Sequence, residues 1–241
     1  MNCEIISTGC KSGNAVLLNG SILFDCGVPF SVLEKLYRNL SLVFLTHIHR
    51  DHFNSRTLSK LARRRPMLRF VVSGNLLTEI VTVARVPLDQ VVYIPQGGTK
   101  VLTEYGTGAK IEASPFQLLH DVPNVGWLVN ITGGDAPGSA MYATDTHHIP
   151  ICAPNLDLYM LEANYKQDDL NDRIRRKAEE GTFSYEGRVL QTHMSLETAV
   201  EWLQENADPY KSRIVFLHQH MGDSLRADEL PFGNYKEVSS C

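Results

Sequence analysis

Within the stretch LTHIHRDHFN, residues 45–54, His47, His49, Asp51 and His52 fall inside six positions. Imidazole and carboxylate at this density suit a divalent cation: zinc first, manganese or iron less tightly, with no thiolate in the group. An isolated HxHxDH also reads as a satisfied polar turn. Here it follows the apolar run LSLVFL, expected for a strand covered on both faces, and that position favours metal binding. If the segment stays extended, residues 47, 49 and 51 share one side and His52 takes the other. The loop then offers two ligand pairs, His47 with His49 and Asp51 with His52.

A dinuclear catalytic site needs more ligands, and three candidates stand at the ends of later apolar runs. His120 closes SPFQLLH, Asp145 closes SAMYATD and His218 closes SRIVFLH. Each alone would be a surface or capping residue. Together they complete His47, His49 and His120 around one metal and Asp51, His52 and His218 around another, with Asp145 bridging.

The elements that must position these groups alternate in kind. CEIIST, NAVLLN and SILFDCG read as strands, with LNGS a tight turn. SVLEKLYRNL has helical spacing after Ser31, a plausible N-cap. SRTLSKLARRR reads as a helix stopped at Pro66, LRFVVS as a buried strand and GNLLTEIVTVARV as a further helix. VVYIP, TKVLT, AKIEASPFQL, VGWLVNIT, SAMYATDT and LDLYMLEAN are strand-like, followed by the helix SLETAVEWLQENA and the strand SRIVFLHQH. Helices at both ends and a strand meander between them predict an α/β layered domain, two sheets sandwiched between helices.

Composition narrows the function. The 241 residues are 43% hydrophobic and 21% charged, enough for a sizeable globular core, and no linker breaks them, so a single domain over 1–241 is expected. A net charge of −4 advertises no broad nucleic-acid footprint, and no stable nucleic-acid partner is expected. The one dense basic stretch, around Arg63, Arg64 and Arg65, suits a solvated helix end more than a phosphate-facing patch. Five cysteines at irregular spacings, with no CxxC, suggest neither a disulfide frame nor a thiolate zinc site. With no signal-like start and no apolar run of about 18 residues, the expectation is a cytoplasmic protein without a membrane partner.

The order HxHxDH, a lone His, a lone Asp and a late His resembles the metallo-β-lactamase superfamily over nearly the whole chain. Asp25 in ILFDCG sits where that superfamily places a buried aspartate. The resemblance implies a four-layer αβ/βα sandwich with two divalent metal ions, zinc foremost, at one edge, and a dinuclear-metal hydroxide as nucleophile. Asp25 would orient a ligand histidine. Glu162 in LEANY and His193 in THMSLETA resemble elements of the phosphodiesterase branch, which includes tRNase Z. There a non-ligand histidine, often oriented by a glutamate, protonates the leaving group. The alternative makes His193 the last ligand in place of His218; the plain readings are a helix-cap neighbour for His193, beside Ser195 as the cap, and a surface charge for Glu162.

The long Gly/Pro-rich arm of tRNase Z has no counterpart, since only 24 residues separate His120 from Asp145. The chain is more similar to the small anti-Pycsar phosphodiesterases. That implies hydrolysis of cyclic mononucleotides to defeat antiviral signalling, by a homodimer. The rivals are a carbon-ester hydrolase acting on a lactone or thioester, a tRNase Z type nuclease, and a non-catalytic module, against which the intact ligand set speaks. His147, His148 and His220 are expected outside the ligand set.

Overall fold

The computed structural model describes residues 1–9, 11–182 and 186–218. Two six-stranded mixed sheets carry the fold. The first runs in chain order: β1 (Cys3–Ser7), β2 (Ala15–Leu18), β3 (Ile22–Phe24), β4 (Leu42–Phe44), β5 (Arg69–Val72) and β6 (Val91–Tyr93). The second is ordered β12 (Arg213–Leu217), β11 (Leu158–Glu162), β10 (Gly138–Ala143), β9 (Asn124–Thr132), β8 (Lys110–Leu118) and β7 (Lys100–Thr103). Strands β3 to β6 are parallel, β7 to β10 form the antiparallel meander, and β10 to β12 are parallel. Every residue of β2, β3 and β4 is buried, as continuous apolar runs demand when both faces of a sheet are covered. The hairpin between β2 and β3 turns on Asn19 (φ 52°) and Gly20 (φ 73°), the left-handed pair that the LNGS signal predicts.

Helices complete a four-layer sandwich. α1 (Phe30–Leu33), α2 (Ser55–Arg64) and α3 (Leu76–Thr82) cover the outer face of the first sheet through Leu33, Leu58, Leu61 and Ile80. α6 (Leu196–Asn206) covers the second through Leu196, Ala199 and Leu203. Asn54 caps α2 by accepting from the Thr57 amide at 3.1 Å, and Ser195 caps α6 by accepting from Thr198 at 3.2 Å. The basic end of α2 is used locally: Lys60 and Arg64 lie over the Phe30 ring, and Arg65 donates to the Leu40 carbonyl at 3.1 Å.

Three elements depart from expectation. The helix predicted from Ser31 is a single turn beginning at Phe30 after Pro29, and residues 34–39 continue as turns. α4 (Gln167–Glu179) and α5 (Glu186–Thr192) were not anticipated. Only Leu170 of α4 is buried, so the apolar stripe that betrays a helix is nearly missing. Among the described residues no helix is long and apolar enough to cross a membrane.

The two sheets meet over Phe24, Phe44, Trp127, Tyr142 and their aliphatic neighbours. Phe24 stacks on both Phe44 and Tyr142, with ring centroids 5.2 and 4.9 Å apart. Trp127 of β9 donates its indole N–H to the Leu45 carbonyl at 3.0 Å, and the Val125 amide reaches the Thr46 carbonyl at 3.3 Å. These bonds fix the end of β4 against the start of β9. By the pairing directions, β8, β10, β11 and β12 all point their C-terminal ends to one edge of their sheet, where open sheets gather ligand-binding groups.

Candidate metal centre

Every sequence-predicted ligand arrives at that edge. His47, His49, His120 and Asp145 form one group whose ligating atoms all lie within 4.8 Å of one another, and Asp51, His52, Asp145 and His218 form a second. Asp145 belongs to both. His47 Nε2 and His120 Nε2 each stand 3.2 Å from His49 Nδ1, and His47 Nε2 stands 3.2 Å from Asp145 Oδ2. On the other side, His52 Nε2 lies 2.9 Å from Asp145 Oδ2 and His218 Nδ1 lies 2.8 Å from Asp145 Oδ1. A third group joins Asp145, Glu162, His193 and His218.

The extended reading of HxHxDH is corrected beyond His49. The chain turns there, with the His52 and Phe53 amides both donating to the His49 carbonyl at 2.9 and 2.7 Å. The turn, not strand alternation, splits the segment into its two pairs and carries Asp51 to the side of His52. A close approach makes it possible. A Cβ on Gly27 would sit 1.7 Å from the Asp51 carbonyl oxygen, so only glycine fits.

Backbone strain concentrates at the same edge. Asp25, Asp145 and His218, one or two residues past the ends of β3, β10 and β12, all adopt left-handed backbone, with φ of 58°, 53° and 56°. Non-glycine residues adopt it at a cost of about 1–3 kcal/mol each and cluster at functional sites. Here it swings each side chain from the strand end into the cluster.

Asp25 is fully buried behind His52. Its Oδ2 faces His52 Nδ1 at 2.7 Å and accepts from the Tyr142 hydroxyl at 2.9 Å, while Oδ1 accepts from the Thr46 amide at 3.0 Å. These bonds turn His52 Nε2 toward Asp145. Glu162, also fully buried, faces His193 Nδ1 at 2.6 Å and His218 Nδ1 at 2.9 Å through one oxygen, Oε1. Its other oxygen accepts from the Thr146 amide at 2.9 Å. His193 belongs to the Glu162 group, and His218 to both that group and the Asp51–His52 group.

The protonation of these groups splits by neighbourhood. Burial lowers His47, and lowers His120 to about 4, so these rings stay neutral. Burial also opposes charge on His52, but Asp145 and Asp25 outweigh it and hold the ring up to about 10. His193 is likewise raised against its burial by Glu162, and His218 by Asp145 and Glu162. Asp145 is held well below the carboxylate range despite burial by His218 and His52.

The ligand chemistry fits divalent cations. Imidazole nitrogens and carboxylate oxygens converge in three groups that share Asp145, and two of their carboxylates, Asp145 and Glu162, are buried. Sequence reasoning passed over several supports. Asn14 donates to Asp51 Oδ2 at 3.3 Å and lies 2.7 Å from His52 Nε2. Asp121 faces His120 at 3.1 Å and is bound by Arg188 of α5. Tyr142 and Thr46 hold Asp25. Thr46 stands directly before the histidine cluster and Asn14 directly before a buried strand, which are the available signals. His147 and His148 are exposed and outside all three groups; His220 lies outside the described residues.

A family model described as the beta-lactamase superfamily domain matches residues 21–219. Among solved structures, human tRNase Z, short form (ELAC1), superposes with a TM-score of 0.63 at 17% identity, covering 100% of this chain and 97% of that one. The metallo-beta-lactamase fold protein YhfI from Bacillus subtilis gives 0.61 at 17%, covering 99% and 95%. A long form RNase Z from yeast gives 0.63 at 10%, covering 98% of this chain and 40% of that one. No curated protein matches the chain in sequence.

Proposed function

The chain belongs to the beta-lactamase superfamily domain family, and from that premise we propose that this metal-dependent hydrolase cleaves phosphodiesters, with cyclic mononucleotides as substrates. The observation that carries the reading is the pairing of His193 with buried Glu162 at 2.6 Å, with His193 Nδ1 also 3.7 Å from Asp145 Oδ1. A phosphodiester loses a poor leaving group, a sugar alkoxide, and its departure is eased by a proton. Glu162 occupies Nδ1 of His193 and sustains its charge, so Nε2 is the atom to deliver that proton, an effect of about 10²–10⁴-fold. A lactone or thioester hydrolase does not require such a pair.

His47, His49 and His120 on one side, and Asp51, His52 and His218 on the other, with Asp145 between, would hold two divalent cations, zinc foremost, that supply Lewis acidity and acidify bound water when present. Asp25 acts through His52, fixing its ring from behind. His218 is favoured over His193 as the last ligand because it shares a group with Asp51 and His52. A homodimer acting in the cytoplasm on a small phosphodiester, in the manner of the anti-Pycsar phosphodiesterases and with no membrane or stable nucleic-acid partner, completes the proposal.

A tRNase Z type nuclease is the second reading, favoured by the names of two structural neighbours. The interval from His120 to Asp145 weighs against it, since it holds only short connections, β9, a turn and β10. Metal-loaded protein incubated with cyclic mononucleotides, linear dinucleotides, pre-tRNA and lactones separates these readings by product analysis. Linear nucleoside monophosphates from the cyclic substrates are expected; turnover of lactones alone sinks the phosphodiester reading.

A further inference from the structure

A cleft of about 180 Å³ opens beside the metal-ligand cluster. Its walls are the Thr46–Ile48 segment, the loop from Ser73 into α3, and the β8–β9 connection with the start of β9. It is joined to the cluster through the chain itself. Thr46 and Ile48 flank His47, Val122 follows His120 and Asp121, and Asn124 donates to the Asp145 carbonyl at 2.8 Å.

Two buried polar atoms on residues that line this cleft have no partner among the described residues: Ser73 Oγ and Asn124 Oδ1, on residues each only 2% exposed. The Asn124 amide cannot be turned the other way, because its Nδ2 donates to the carbonyls of both Thr144 and Asp145, at 2.9 and 2.8 Å. Oδ1 is therefore a fixed acceptor awaiting a donor. An unmet buried acceptor is costly, and a bound group that donates to it relieves that cost. Ile48, Leu76 and Val122 supply apolar walls, and the amides of Gln96 and Gln117 stand among the lining residues. Among the described residues that line the cleft Glu79 is the one with a charge, and it disfavours an anion.

The occupant is thus neutral, partly apolar, bears hydrogen-bond donors, and is smaller than the whole ligands that fill pockets of about 300–1,000 Å³. We infer that this cleft is the subsite for an amino-bearing nucleobase, adenine, guanine or cytosine, whose phosphate lies at the metal-ligand cluster. Asn124 Oδ1 accepts from an exocyclic amine, Ser73 Oγ donates or accepts at the ring edge, and Ile48 and Leu76 take the ring faces. Amide and carboxylate side chains read base edges in this way elsewhere. The inference rests on the phosphodiester reading and deepens it.

The test compares p-nitrophenyl esters of the four nucleoside 5′-monophosphates with p-nitrophenyl methyl phosphate, which has no base. Expected is a kcat/KM for the adenosine, guanosine and cytidine esters about tenfold or more above the base-free ester, with uridine behind them. Ser73→Val should collapse that ratio, mainly through KM; Ser73→Ala, which removes only an unpartnered hydroxyl, should lower it without loss of thermal stability. A wild-type ratio near one, or a ratio untouched by both variants, overturns the subsite while leaving phosphodiester hydrolysis intact. If no phosphodiester is turned over, the reaction assignment fails, and adenosine binding by equilibrium dialysis decides the cleft. Saturable binding weakened by Ser73→Val supports it; no saturable binding overturns it.

Discussion

Tyr142, on β10 of the second sheet, donates its hydroxyl to Oδ2 of Asp25, at the end of β3 in the first sheet, across 2.9 Å of fully buried space. The same oxygen faces His52 Nδ1 at 2.7 Å. The aromatic stack that holds the sheets together therefore ends on the carboxylate that aims His52, a candidate metal ligand, so core packing and site geometry are one arrangement. Replacing Asp25 by Asn keeps the volume but leaves one acceptor oxygen where Thr46, His52 and Tyr142 together need two. Asp25→Asn is expected to weaken metal affinity by about 10–100-fold. Tyr142→Phe should cost about 1–2 kcal/mol of stability with a smaller affinity loss. Competition with a coloured chelator and thermal melts measure both, and full affinity in Asp25→Asn refutes the arrangement.

His193 and Asp145 are separated by their expected variant phenotypes. Asp145 belongs to every ligand group, so Asp145→Ala should lose metal and activity together. His193 pairs with Glu162 and stands apart from the Asp51–His52 set, so His193→Ala should retain full metal content and lose about 10²–10⁴-fold in turnover. Elemental analysis beside turnover decides: a missing metal equivalent in His193→Ala makes that residue the last ligand in place of His218.

Much of this was legible in the sequence because the cluster is built at strand ends. His120, Asp145 and His218 each follow an apolar run, and parallel or doubly reversed strands bring such ends to one edge. Less legible was whatever depended on folded neighbours. The HxHxDH segment turns at His49 where alternation predicted extension, because glycine at 27 admits the Asp51 carbonyl into a space no Cβ could share. Tyr142 reads as one more apolar position of a strand until its hydroxyl is seen against Asp25. α4 escaped because a helix resting on a single buried leucine has no periodic stripe to detect.

The two ligand sets should respond to pH differently. His47 and His120 are kept neutral by burial and present lone pairs at once. His52 is held up to about 10 against its burial by Asp145 and Asp25, so at neutral pH the metal-free protein carries a proton on it. That proton must leave before His52 can ligate, and affinity at this set therefore rises with pH. Calorimetry of metal loading in buffers of different ionisation enthalpy should show net proton release, greater for the equivalent that fills the His52 set. Identical heats in all buffers would exclude this account.

Gly27 offers a test of the backbone that carries the ligands. Its amide donates to the Asn14 carbonyl at 2.9 Å, and the Asn14 amide donates to the Asp51 carbonyl at 2.6 Å, so three loops interlock behind His52. A methyl group at Gly27 meets the Asp51 carbonyl oxygen at 1.7 Å, with backbone on both sides and no flexible side chain to yield. Gly27→Ala should cost ~3 kcal/mol or more, and any folded fraction should bind metal poorly at the Asp51–His52 set while the His47–His49–His120 set keeps its equivalent. Denaturant unfolding gives the first quantity and metal stoichiometry the second. A stable Gly27→Ala protein holding both equivalents would show that the loop can carry Asp51 to its place without this contact.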